Sequence, residues 1–119
     1  MNYTAASGVV GKSFSDEGDI ARSSSLVQIA TVLEKGTKVA LVYGDRDFAC
    51  NWVGGEVNSL LVDYVGSKNF SSAGYTPIFT ESNSVGGQVR QYGNYSFSRV
   101  YQSGHLGIYN FHPWRVTLT

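Results

Sequence analysis

The chain is poor in the residues that commit a sequence to several common functions. It has one cysteine, Cys50, among 119 residues, so no internal disulfide is possible and no cysteine-based zinc pattern exists. Its two histidines, His105 and His112, lack the close spacing of paired metal ligands, so no metal and no cofactor is expected. Charged residues are scarce at 15%, nine basic and nine acidic, and no basic stripe is present. Nucleic acid is therefore not an expected partner. No apolar run approaches the roughly 20 residues that cross a bilayer, so no membrane span is expected. Met1 is followed by polar Asn2, Tyr3 and Thr4, and no basic segment leading into an apolar one marks a secretory signal.

What is abundant points elsewhere. Hydrophobic residues make up 42% and glycines number 14, a balance that suits a sheet-rich or secreted protein with many turns. The length fits one domain or a piece of one, with a modest core that buries roughly two-thirds of the unfolded surface. Three sequons, beginning at Asn2, Asn69 and Asn94, are candidate glycan acceptors. Three sequons without a signal are consistent if the chain is the tail of a longer secreted precursor.

The pattern along the chain reads as α/β. Residues 1–25 are small and polar and read as loop or as a loosely packed segment. From Ser25 to Lys35, apolar Leu26, Ile29, Ala30 and Leu33 fall at helical spacing. Ser24 or Ser25 is placed to cap the start and Gly36 to end the helix. A buried strand follows, from Lys38 to Tyr43. After Trp52, residues Val57, Leu60, Leu61 and Tyr64 share a helical face that Gly66 stops. Asn69 to Gly87 reads as loop anchored by Phe70, Tyr75 and Ile78. Gln88–Tyr92 and Tyr95–Tyr101 alternate as strands around Gly93-Asn94, which has the residue types of a two-residue hairpin turn. An aromatic tail, Tyr109 to Trp114, closes the chain and reads as packing on the sheet.

The chemistry-bearing residues lie at strand ends. Asp47 follows the first strand, and His105 follows the last, 58 positions later. An Asp just past a strand is commonly a turn residue bonded to its own backbone, and a histidine beside glycine is commonly a surface loop residue. Together they have the chain order of the last two members of a Ser…Asp…His triad. In that arrangement the carboxylate fixes the imidazole tautomer and leaves the second nitrogen as a base. The nucleophile has no expected context, because no Gly-x-Ser-x-Gly elbow occurs. Ser103 lies too close to His105, and a Cys50–His105 pair is a weaker alternative.

These residues sit in recognisable motifs. Tyr43-Gly44-Asp45-Arg46-Asp47-Phe48-Ala49-Cys50-Asn51-Trp52-Val53-Gly54-Gly55-Glu56 resembles the Gly-Asp-x-Asp-x-x-Cys-Asn-Trp segment of fungal serine carboxypeptidases. Ala73-Gly74-Tyr75-Thr76-Pro77, the run Gly87 to Phe97, and Arg99-Val100-Tyr101-Gln102-Ser103-Gly104-His105 resemble the same family in the same order, as does Asn2-Tyr3-Thr4. The resemblance implies an α/β-hydrolase fold. It implies that Asp47 is the triad acid and His105 the triad base, that Cys50 lines the substrate site, and that Leu106 borders the pocket for the departing residue. The chain departs from the family at Leu106-Gly107-Ile108, and its end lacks the family's closing helix.

The expected architecture is thus the C-terminal part of an α/β-hydrolase sheet, an incomplete domain over residues 1–119. It comprises strand, Asp loop, helix, β-hairpin and His loop. The expected function is that of a serine-type carboxypeptidase, releasing C-terminal amino acids from peptides through an acyl-enzyme, with secreted or vacuolar parents. The isolated chain is expected to be inactive without its serine elbow. An N-terminal chain carrying the nucleophile is the implied partner, besides peptide C-termini. The alternatives are a truncated, non-catalytic carboxypeptidase-like protein, or a peptide- or glycan-binding module.

Overall fold

The structure, a computed structural model, describes residues 7–18, 24–80 and 82–106. Asn2, His112, the aromatic tail and the family's closing-helix region lie outside the described residues.

Among the described residues a four-stranded mixed sheet organises the fold, with strands β1 (Val39–Gly44), β2 (Thr76–Phe79), β3 (Val85–Tyr92) and β4 (Tyr95–Val100) in the order β1-β4-β3-β2. β1 pairs parallel with β4, Val39 opposite Tyr95 through Gly44 opposite Val100. β3 pairs antiparallel with both β4 and β2. Gly93 takes φ +58° in the β3–β4 turn, a left-handed conformation that costs glycine no Cβ clash. The expected hairpin is present.

Helix α2 (Ser25–Glu34) forms where the spacing predicts it. Leu26, Ile29, Ala30 and Leu33 turn towards the core. The Gly36 N–H bonds the Leu33 carbonyl and the Thr37 N–H bonds that of Val32, with Gly36 at φ +79°. This is the Schellman ending that the glycine permits. Helix α3 (Trp52–Leu61) starts at Asn51, whose side chain accepts the Gly54 N–H at 2.8 Å. It ends earlier than its apolar pattern suggests. Val62 leaves in an extended conformation, so Val62 and Tyr64 reach the core from a turn.

Three elements appear where the sequence reads as loop. Helix α1 (Gly8–Asp16) is capped by Ser7 and carries a Lys12–Asp16 ion pair at 2.7 Å. It buries none of its residues, although Val10 and Phe14 stand one turn apart, and its two glycines, Gly8 and Gly11, weaken a helical reading. Helix α4 (Ser67–Ser72) is six residues long with one buried side chain, Phe70. β2 contains Pro77, which lowers any strand reading. The anchors were nonetheless correct: Phe70 and Ile78 are buried, and Tyr75 packs on the core.

One face of the sheet carries this core. Alternate residues of β4, Tyr95 and Phe97, are fully buried, and Leu41 and Tyr43 of β1 lie on the same side. Phe97 stacks on Tyr43 with centroids 5.6 Å apart, and Tyr95 meets Phe70 at 4.5 Å and Tyr64 edge-on at 5.7 Å. α3 lies close on β1 because Gly55 has no side chain. A Cβ there would stand 2.5 Å from the Tyr43 ring.

Phe97→Ala removes the most enclosed ring of this cluster. It is expected to destabilise the chain by about 3–5 kcal/mol, read as a lower urea midpoint.

Candidate functional site

β1 ends at Gly44, and the next residues are held by backbone bonds to the end of β4. The Asp45 N–H bonds the Val100 carbonyl and the Arg46 N–H bonds that of Ser103, each at 2.9 Å. Gly44 makes this approach possible, since a Cβ there would collide with the Ser103 carbonyl. After β4, Gln102 takes a left-handed backbone at φ 58° and Ser103 is buried. That bend turns the chain back over the end of β1 and delivers His105.

Asp47 then performs two tasks with two oxygens. Its Oδ1 accepts the Ala49 and Cys50 N–H groups, each at 2.9 Å. This is the turn role that its position suggests. Its Oδ2 accepts from His105 Nδ1 at 2.8 Å. The turn bonds and the contact with His105 therefore coexist on one carboxylate. The Asp47 side chain is 6% exposed and that of His105 62%. The carboxylate is enclosed while the ring projects into a groove of about 290 Å³, lined by β1, Asp47, Cys50 and His105.

The Cys50 N–H, above all, holds the Asp47 carboxyl below its ordinary value of 3.8. Burial opposes this, and the His105 contact and the Ala49 N–H add to it. With Nδ1 donating to an ionised carboxylate, Nε2 is left as the acceptor, oriented by a partner that stabilises the imidazolium. The arrangement can take a proton from a hydroxyl presented in the groove and return it elsewhere.

Cys50, exposed just before α3, lines the same groove. Leu106 follows His105 and is two-thirds exposed, at 66%. Ser103 is turned inward, and its hydroxyl bonds the Gly104 carbonyl at 3.3 Å. Asn69 and Asn94 lie away from this groove, around another one. Asp47, Cys50 and His105 offer an oxygen, a sulfur and a nitrogen within 4.8 Å of one another, a donor set that spacing in the sequence did not suggest. The 2.8 Å contact inside it has hydrogen-bond length. Two ligands on a tetrahedral zinc ion stand about 3.3 Å apart.

One support escaped the sequence reading. The Arg99 guanidinium carbon sits over Trp52, 3.7 Å from the ring centroid, and a guanidinium nitrogen is 3.7 Å from the Asp45 carboxylate. Arg99 ties β4 to the start of α3 and to the Asp loop. A cation on a strand beside a Trp-bearing motif was the available signal.

Two outcomes follow from this geometry. Asp47 is ionised more easily folded than unfolded. The stability it contributes is therefore fully present above the unfolded value of 3.8 and lost as pH falls through the lowered folded value. Asp47→Asn is expected to remove that dependence, so wild type and variant converge in urea midpoint as pH falls below 3.8. Gly44→Ala is expected to cost about 1–3 kcal/mol and to shift the His105 ring resonances in NMR spectra.

Comparison with known proteins bears on the same segment. The serine carboxypeptidase family model matches residues 1–113. Carboxypeptidase S1 homolog B of Arthroderma otae is 53% identical over 105 residues, covering 88% of this chain and 16% of that protein. Carboxypeptidase S1 of Penicillium janthinellum is 35% identical over 92 residues, 77% of this chain and 21% of that one. Among solved structures, a prohormone-processing carboxypeptidase from Saccharomyces cerevisiae superposes with a TM-score of 0.63 at 25% identity, over 72% of this chain and 19% of that one. The chain thus spans about a sixth to a fifth of the length of these proteins.

Proposed function

The chain belongs to the serine carboxypeptidase family, and from that premise we propose that it supplies the acid and base of a carboxypeptidase triad. His105 Nε2 takes the proton of a serine hydroxyl, whose oxygen attacks the carbonyl of the last peptide bond. His105 then gives that proton to the departing amine, and water resolves the acyl-enzyme by the same route. Asp47 orients His105 and stabilises its charged form. Cys50 and Leu106 border the bound C-terminal residue. The observation that carries this reading is the 2.8 Å Asp47–His105 contact, with an enclosed carboxylate and an exposed ring.

The lowered Asp47 pKa keeps this carboxylate ionised under acidic conditions, which suits a secreted or vacuolar enzyme. The serine comes from polypeptide outside these 119 residues, since no Gly-x-Ser-x-Gly is among them. Residues 1–119 then form one segment of a carboxypeptidase domain. The sheet edges support such a partner. β2 is blunted by Pro77 and by a register shift at Ile78/Phe79. β1 has neither feature. Val39 and Asp45 both donate to β4 or its turn, so alternation directs the backbone groups of Ala40 and Val42 to the open side. The absent elbow also favours a second reading, a non-catalytic carboxypeptidase-like chain, because losing the nucleophile costs about 10⁶ in rate.

The test is hydrolysis of a blocked dipeptide at about pH 5, above the ordinary carboxylate range. The chain alone is expected to show none. Mixed with the part of the Arthroderma otae protein outside the matched region, it is expected to gain fluorophosphonate-sensitive turnover. Asp47→Asn is expected to lower that turnover roughly 10⁴-fold. Turnover by the chain alone that resists fluorophosphonate would sink the serine mechanism. A complex that forms without turnover would favour the non-catalytic reading.

A further inference from the structure

Asn69 and Asn94 of two sequons both line one open groove of about 590 Å³, which also takes in Tyr64, Val65 and Tyr92. Sequence treats the two alike, but their side-chain amides do not stand alike. Asn94 Nδ2 donates one hydrogen to the Leu33 carbonyl at 2.9 Å and the other to that of Thr37 at 2.8 Å. Its backbone carbonyl accepts the Val39 N–H at 2.8 Å. One residue thereby fastens the C-terminal end of α2, the entry to β1 and the β3–β4 turn. Asn69 is exposed on α4. Its Nδ2 makes one bond, to the Tyr92 hydroxyl at 2.8 Å, and its second hydrogen has no protein partner among the described residues.

N-glycosylation consumes one of those hydrogens. The bond between sugar C1 and the pyrophosphate oxygen of a lipid-linked oligosaccharide breaks, and C1 bonds Nδ2. One Nδ2 proton is released and the lipid pyrophosphate leaves. At Asn94 the new bond requires the loss of the Leu33 or the Thr37 contact and places a sugar between α2 and the hairpin. At Asn69 it uses the free hydrogen. We propose that Asn69 is an N-glycan acceptor and that Asn94, despite its sequon, is a clamp that must stay unmodified for the chain to reach this fold. A glycan rooted at Asn69 would lie over the groove and shield Val65 and Tyr92, which are 95% and 43% exposed. The inference does not depend on the carboxypeptidase reading, because it concerns which amide is free.

The test expresses the full chain behind a secretion leader in a eukaryotic host. Glycans are removed enzymatically in heavy-oxygen water, and the converted Asn residues are mapped by mass spectrometry in secreted and in retained protein. Secreted protein is expected to carry the label at Asn69 and not at Asn94, and Asn69→Gln to abolish it there. Label at Asn94 in secreted protein that melts like the unglycosylated chain would overturn the proposal, as would an unlabelled Asn69. Bacterial protein, without glycans, tests the clamp separately. Asn94→Ala is expected to lower the melting temperature by roughly 5 °C, and Asn69→Gln by less than half as much. Equal effects would remove the distinction between them.

Discussion

The close approach of Gly44 to the Ser103 carbonyl is the contact on which the Asp47–His105 pair depends. β1 and β4 run parallel and in register to their ends at Gly44 and Val100. Beyond that point the ladder continues into loop, through Asp45 to Val100 and Arg46 to Ser103. A parallel pair places both C-terminal ends at the same edge of the sheet. Two residues 58 positions apart therefore leave their strands side by side. The missing Cβ at residue 44 lets the second loop fold over the first.

The rest of the structure holds that edge still. Phe97 lies under Tyr43, Tyr43 lies under α3 through Gly55, and Asn51 starts α3 a few residues after Asp47. Arg99 ties the same loop to β4, over Trp52 and near Asp45. Asp47 is thus fixed by its backbone neighbours before it meets His105. Its Oδ1 bonds shape the turn, leaving Oδ2 in position for the imidazole. A carboxylate already oriented and already ionised loses little on engaging a histidine, which is the physical content of preorganisation here. Turn geometry and histidine orientation are two consequences of one enclosed side chain.

Much of this was legible in the residues, and the exceptions have physical causes. α2 was readable because four apolar residues recur at helical spacing and Gly36 marks the stop. The hairpin was readable because Gly93-Asn94 sits between alternating segments. α1 was not, since two glycines and three serine or aspartate residues among its nine outweigh the short apolar spacing of Val10 and Phe14. α4 and β2 were hidden by brevity and by Pro77. The end of α3 was misplaced because Tyr64 continues the apolar pattern after the backbone has already turned extended. Asn94 is the sharpest case. Its turn role and its sequon are both visible in the sequence, yet the two hydrogen bonds it donates to the Leu33 and Thr37 carbonyls involve a helix end some 60 residues away.

By itself, the sequence determined the α/β pattern and the family motifs, and it pointed to Asp47 and His105 as a pair. These depend on local spacing and on residue identity, which a single chain displays directly. Only the tertiary structure decided that Asp47 and His105 meet, that the carboxylate is enclosed while the ring is open, and that one sequon amide is free and the other tied. Each of those depends on which backbone groups come within hydrogen-bond distance across the fold. Distance between residues remote in sequence is set by strand pairing and packing rather than by any local pattern.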